Sequence, residues 1–271
     1  MIDRIDTEEQ ESTICLIDGD SLLYYEMDKP TLEQAISGID SRVGTILENC
    51  NANAYVGFLT GKSGYRYQVS PTYKANRKYR PKPIIFYALR EYLKQRYTFK
   101  EFEGLEADDL VAYYGVNNND WKVVICSPDK DVLHQCIGKH FNYQKVEFVT
   151  TSETDAEKFL WKQVLMGDST DNIQGIPGVG IKTAENWLKD REKEIEGFVL
   201  RKYVEKFGVV EGLEQFFINF RLVYLLKTKD DILREVKLEL PELQSLICIN
   251  SKPEENEPTE SAPESPSWET W

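Results

Sequence analysis

"TICLIDGD", residues 13–20, is an apolar run that closes on Asp-Gly-Asp, and its reading decides the fold class. A short apolar segment without polar alternation reads as a strand buried on both faces, here with acids at its carboxyl end. Working outward, "AYVGFLT" (54–60) and "KVVICS" (122–127) repeat the pattern. Around them, residues 31–49, 84–97 and 106–116 carry helical spacing, clearest in Leu32, Ala35, Ile36, Ile39, Val43, Ile46 and Leu47. Strands alternating with helices predict an α/β domain with a mostly parallel central sheet over residues 12–152. From about 153 the pattern turns helical, with helices expected at 153–166, 181–190, 194–207 and 213–227 in a second unit over 153–245. Residues 1–11 and the Pro-, Glu- and Ser-rich residues 250–271 are expected to be disordered.

Composition narrows the class further. With 41% hydrophobic residues and 12% aromatics the chain can bury a real core. It has no run of roughly 18 apolar residues suited to a bilayer, and its start, MIDRIDTEEQE, is acidic rather than signal-like. Five cysteines without Cys-x-x-Cys spacing, with Cys15 and Cys126 inside apolar runs, suggest reduced core thiols in a cytoplasmic protein. Two histidines, His134 and His140, argue against a histidine-rich zinc site.

The net charge of −13 hides a segregation. Lys62, Arg66, Lys74, Arg77, Lys78, Arg80, Lys82, Arg90, Lys94, Arg96 and Lys100 share their stretch with one acid, Glu91. Such a stripe is either a solvated lysine-rich face or a phosphate footprint, because phosphate binding depends on local potential. The interleaved Tyr65, Tyr67, Tyr73 and Tyr79 favour nucleic acid, since such rings can stack on bases.

In a parallel sheet, ligands gather at the carboxyl ends of the strands. Asp18 and Asp20 follow the first strand there, and Asp129 and Asp131 follow the strand at 122–127. Glu106, Asp108 and Asp109 open a helix, and Asp168 and Asp171 follow the helix at 153–166. Each group alone can be a turn or a helix cap, and Asp20 is left as one of these. Together they form an oxygen-only donor set that suits Mg²⁺ or Mn²⁺ rather than zinc. Two such ions about 3.5–4 Å apart clamp a phosphodiester, one activating water and the other stabilising the leaving oxygen.

"GIPGVG" (175–180) followed by "IKTAENWL" reads as a helix-hairpin-helix. Gly178 and Gly180 permit close approach of the backbone to a phosphate, and the next helix offers free N–H groups. Lys182 and Thr183 add a charge and a hydroxyl. Such contacts position a backbone without reading sequence. A plain loop is the alternative.

The ordered succession "LIDGD", "TYKANRK", "GLEADDLVAYY", "CSPDKDVL" and "MGDSTDNIQGIPGVGIKTA" resembles the phage and bacterial 5′-3′ exonucleases and flap endonucleases over residues 12–227. The resemblance implies a PIN-like nuclease domain, a helix-hairpin-helix subdomain, and metal-dependent hydrolysis of DNA near a 5′ end in replication or repair. It implies a first metal group of Asp18, Glu106, Asp108 and Asp109, and a second of Asp129, Asp131, Asp168 and Asp171. Among these, Asp108, Asp129 and Asp168 are expected, with Lys74, to be catalytic. It implies a basic arch over about 62–83, with Tyr73, Lys74 and Arg77 on the 5′ strand and Lys74 steadying the scissile phosphate. The hairpin is implied to bind duplex DNA, with a K⁺ ion on main-chain oxygens near Leu165, Met166, Gln174, Ile176 and Val179. One position departs from the family pattern: Thr60 stands where an aspartate is expected, which predicts a weaker first metal site.

The alternatives are a junction-binding protein of the same fold that has lost its chemistry, and a PIN-type ribonuclease, which has no need of the hairpin. The chain is expected to act as a monomer. The acidic tail with its terminal tryptophans is either a solubilising end or a docking peptide for a replication protein.

Overall fold

The computed structural model describes residues 12–77, 81–118, 121–191, 193–236 and 250–251. Lys78, Tyr79 and Arg80 of the basic stretch, and most of both termini, lie outside them.

The first run forms β1 (Thr13–Asp18), and all of its residues are buried. The reason is its position: β1 pairs in parallel with β2 (Ala54–Thr60) on one side and β4 (Lys122–Cys126) on the other. The full order is β3-β2-β1-β4-β5-β6, where β3 is Lys100–Phe102, β5 Gly138–Asn142 and β6 Glu147–Thr151. All pairings along this path are parallel except β5 with β6. Because the chain proceeds from β1 through β2 to β3 and then returns to add β4 and β5, the strand order reverses between β1 and β4. Asp18 and Asp129 lie at the carboxyl ends flanking this reversal, where such sheets form their crevice.

Helices cover both faces, and the short α3 (Arg66–Val69) follows β2. On one, α1 (Gly19–Glu26), α2 (Leu32–Asn49) and α4 (Ile84–Arg96) pack Leu22, Ile39, Val43, Ile46 and Leu89 against Cys15, Ile17 and Val124. On the other, α5 (Ala107–Asn117) and α6 (Lys130–Gln135) bring Leu110, Val111 and Val132 onto Ile14, Leu16, Phe58 and Ile125. A third core, built round Trp161, Val164, Tyr203 and Phe216, joins α7 (Glu153–Met166), α8 (Ile181–Leu188), α9 (Ile195–Phe207) and α10 (Val209–Val223).

Several expectations need correction. Strands β3, β5 and β6 and helix α1 were not anticipated, and neither was α11 (Lys229–Val236). The last expected helix, 213–227, runs instead from 209 to 223. It begins directly after Gly208, whose φ of 84° suits glycine. It stops where Leu225 and Leu226 give their amides to Gln135 Oε1 and Asp109 Oδ1. Leu225, Leu226 and Ile232 thereby enter the core beneath α5, so a boundary at 152/153 does not separate the packing. Asn250–Ser251, at the head of the tail expected to be disordered, pairs antiparallel with β2. No helix among the described residues is long and apolar enough to cross a membrane.

Candidate active site

Asp18 caps the N-terminus of α1 and is 1% exposed. Its Oδ1 accepts the amides of Asp20 and Ser21, while Oδ2 accepts the hydroxyls of Ser21 (2.5 Å) and Ser127 (2.8 Å). Ser127 is the residue after β4, so the two strands at the reversal are tied through one carboxylate. Burial first, then the charges of Asp20 and Asp129, push Asp18 up to about 6 despite the hydroxyl donors.

Asp108, in the first turn of α5, is raised well above the usual carboxylate range by burial and by Asp18, Asp129 and Glu106. Asp129 caps α6, its Oδ1 accepting the Asp131 amide at 2.7 Å. Asp131 accepts from Gln163 Nε2 at 2.6 Å and is pushed up to about 7, mainly by burial and Asp129. Burial would also raise Asp168, but the Lys130 ammonium at 2.7 Å and the Thr170 amide hold it below its ordinary value. Glu106, Asp108, Asp131, Asp168 and Asp171 line one cleft.

Lys74, from the basic stretch, reaches two of the acids that line this cleft. Its Nζ lies 2.9 Å from both oxygens of Glu106 and 3.8 Å from Asp171. Burial would lower its pKa, but Glu106, Asp171 and Asp108 outweigh that and raise it. The same cation helps to hold buried Glu106 below its ordinary value, together with Arg66. Lys74 sits at φ 53°, an uncommon conformation for a non-glycine residue, with its amide bonded to the Asp171 carbonyl at 2.9 Å. Arg77 pairs with Asp171.

Two expected site residues are placed otherwise. Asp109 is fully buried, with Oδ2 on Arg66 Nη1 (2.6 Å) and Oδ1 on Arg66 Nη2 (2.8 Å) and the Leu226 amide (3.1 Å). Its oxygens are committed to the protein interior, so it is not positioned as a metal ligand. Tyr73 is 2% exposed, and its hydroxyl donates to Glu106 and Asp171. A ring buried in this way cannot stack on a base.

The basic stripe is likewise partly spent inside the protein. Arg66 is buried on Asp109 and on the carbonyls of Leu222 and Tyr224. Arg90 pairs with Glu101 and binds the Thr60 carbonyl. Tyr65 is buried, and of Tyr65, Tyr67 and Tyr73 only Tyr67 is exposed. Thr60 Oγ1 accepts the Ala107 amide at 3.0 Å, at the start of α5.

The hairpin follows directly from the cleft. Gly167 and Asp168 form β7, paired with β8 (Ile173–Gln174), and the Ile176 amide returns to the Leu165 carbonyl at 2.8 Å. Gly178, at φ 85°, has open space where a side chain would stand, and Gly180 caps α8. Gly178, Gly180 and Lys182 are exposed and Thr183 is half-buried. Of the five carbonyls expected near K⁺, those of Leu165, Gln174 and Ile176 already accept hydrogen bonds, from Ile176, Asn219 and Val179.

Sequence reasoning missed Ser127, Lys130 and Gln163, which hold Asp18, Asp168 and Asp131. Gln163 carried a signal, being polar on the buried face of α7 between Leu160 and Val164. Lys130 carried a weaker one, a cation between two aspartates.

The carboxylates fit a hard divalent cation. The cleft offers oxygen donors without histidine or thiolate, and Asp18, Asp108 and Asp131 are all raised, by burial first and then by the neighbouring carboxylates, in spite of Lys74 and Lys130. A mostly parallel sheet with acids at its point of reversal, joined to a helical hairpin, defines the PIN-like nuclease class of fold.

Residues 13–163 match the model of the "5'-3' exonuclease, N-terminal resolvase-like domain", and the chain belongs to that family. It is 31% identical over 208 residues to DNA polymerase I of Borreliella burgdorferi, covering 69% of this chain and 22% of that protein. It is 31% identical over 203 residues to the 5'-3' exonuclease of Aquifex aeolicus, covering 67% of this chain and 68% of the relative. The chain thus spans about a quarter or less of the DNA polymerase I relatives it matches and about two thirds of the separate exonuclease. Among solved structures, bacteriophage T5 D15 protein co-crystallised with metal ions superposes with a TM-score of 0.63 at 25% identity, covering 86% of this chain and 96% of that one. The D15 flap endonuclease (D155K) in a complex with DNA and metal ions superposes at 0.65 and 22% identity, with the same coverage.

Proposed function

We infer that this chain is a divalent-metal-dependent, structure-specific 5′ nuclease that hydrolyses phosphodiester bonds at 5′ ends, flaps or primer junctions of DNA in replication or repair. The observation that carries the reading is the convergence of Asp108, Asp131, Asp168 and Asp171 on one cleft that Lys74 closes through Glu106. The DNA and metal ions in the T5 D15 complexes support the same partners here.

Asp18, Glu106 and Asp108 would hold one ion, and Asp129, Asp131, Asp168 and Asp171 the other. Mg²⁺ or Mn²⁺ there supplies an activated water and neutralises charge on the phosphate. The chain's own groups do the rest. Lys74, a cation kept protonated in a half-closed site, meets the negative charge that builds on the scissile phosphate. Tyr73 fixes Glu106 and Asp171 relative to one another, and Arg77 extends the positive edge towards the 5′ strand. The exposed backbone at Gly178 and Gly180, with Lys182 and Thr183, holds the duplex backbone beside the cut.

The test is cleavage of a 5′-labelled flap across titrations of Mg²⁺ and Mn²⁺, with Asp129→Asn, Asp168→Asn and Thr60→Asp alongside. The asparagine variants are expected to lose cleavage and keep flap binding; a variant that cuts like the unmutated protein removes the proposed site. Thr60→Asp is expected to lower the metal requirement. A second reading, a junction-binding protein without chemistry, is favoured by the commitment of the Thr60 hydroxyl to the Ala107 amide. Tight flap binding with no product at any metal concentration, and product in Thr60→Asp, would establish it.

A further inference from the structure

On the opposite side of β1 and β4 from α5, Cys15, Cys50 and Cys126 converge. Cys15 and Cys126 are diagonal neighbours on these strands, where Cys15 pairs with Val124 and Ile17 with Cys126. Cys50 caps the C-terminus of α2 and drops onto them. The three sulfurs lie within 4.8 Å of one another, with Cys50 Sγ 3.9 Å from Cys126 Sγ. We propose that these three cysteines form a binding site for one thiophilic d¹⁰ cation of the zinc, cadmium or copper(I) type.

The geometry suits that class. Metal–sulfur bonds of about 2.3 Å to three sulfurs around one ion set the sulfurs about 4 Å apart, so the existing spacing needs little adjustment. Thiolate donors select soft cations and reject Mg²⁺, which separates this site from the carboxylate cleft. The three thiols hold their protons unequally: burial and the neighbouring sulfurs push the Cys126 and Cys15 thiols up, and Cys50 goes the other way. Hydrogen bonding from Cys126 and Cys15 lowers the Cys50 thiol to about 4 in spite of its burial, and the Lys139 charge helps. An incoming divalent cation forms one bond to each sulfur, and the remaining thiol protons leave to solvent, with no change of oxidation state. Cys50 is the least enclosed of the three at 8% exposure and is followed by the exposed Asn51 and Asn53. Purely structural thiols need only fill volume; nothing in that role requires three sulfurs to face one point.

The experiment is a Cd²⁺ titration in excess Mg²⁺, followed by the ultraviolet thiolate-to-cadmium charge-transfer band, which carboxylates do not produce. A Cys248→Ser background removes the one cysteine outside the described residues. One equivalent is expected to saturate the band. Cys50→Ser should weaken it by more than the roughly 10- to 100-fold that loss of an outer-shell partner costs. Cys136→Ala, in the other core, should leave it unchanged. A native mass spectrum of the unmutated chain, showing one cadmium gained and protons lost, needs no variant to fold. Absence of the band, or its loss in Cys136→Ala with retention in Cys50→Ser, overturns the site. Neither result bears on flap cleavage.

Discussion

The bidentate pair of Arg66 with Asp109 shows how far one residue's role can lie from its apparent place in a motif. Asp109 stands in "EADD" among expected ligands, yet the partner that claims it is 43 positions earlier. No local pattern records such a pairing; it exists only once the segment bearing Arg66 and α5 have packed. Asp18, Asp129 and Asp168, by contrast, were legible, because acids just past an apolar strand or helix are placed by that element alone. Arg66→Met should cost about 3–5 kcal/mol, since it strands a buried carboxylate, and a thermal or denaturant melt measures it. The double change Arg66→Met with Asp109→Leu should cost less than the sum, because no charge is then left unpaired.

At the scale of elements, long periodic segments such as α2 and the apolar runs of β1, β2 and β4 could be read directly. The three-residue β3 and the half-exposed β6 could not, because edge strands owe their form to the neighbour they pair with. The hairpin was legible through its glycines, whose conformations differ in what they demand. Gly167→Ala should be the more damaging change, since at φ 75° its Cβ would lie 2.3 Å from the Ile173 carbonyl oxygen. Gly178→Ala meets open space and should cost only the roughly 1–2 kcal/mol of a left-handed backbone. Flap affinity, measured by fluorescence anisotropy, should still fall. Lys182→Ala should weaken binding similarly for all sequences and reduce the salt slope by about one.

For the whole molecule, the acids in and around the cleft tie stability to pH. Asp18 and Asp131 titrate near 6 and 7 when folded, above the usual value of about 4 for an unfolded aspartate. Between those values the folded chain binds more protons than the unfolded chain, so metal-free stability should fall as pH rises from about 4 to 7. Below about 4 the trend reverses, because Glu106 and Asp168 are held low and lose their partners on protonation. Differential scanning calorimetry should show Mg²⁺ raising Tm by several degrees at pH 8 and much less at pH 5. The knot of Arg66, Asp109 and the Leu226 amide has a mechanical corollary. It pins the exit of α10 to the sheet domain, while the β7–β8 pair pins the hairpin to Asp168. Cleft and hairpin therefore stand at a set separation, like the jaws of a locked caliper. A duplex gripped at one end should be cut at a constant count of nucleotides, giving a single sharp product band that blurs when Arg66 is removed.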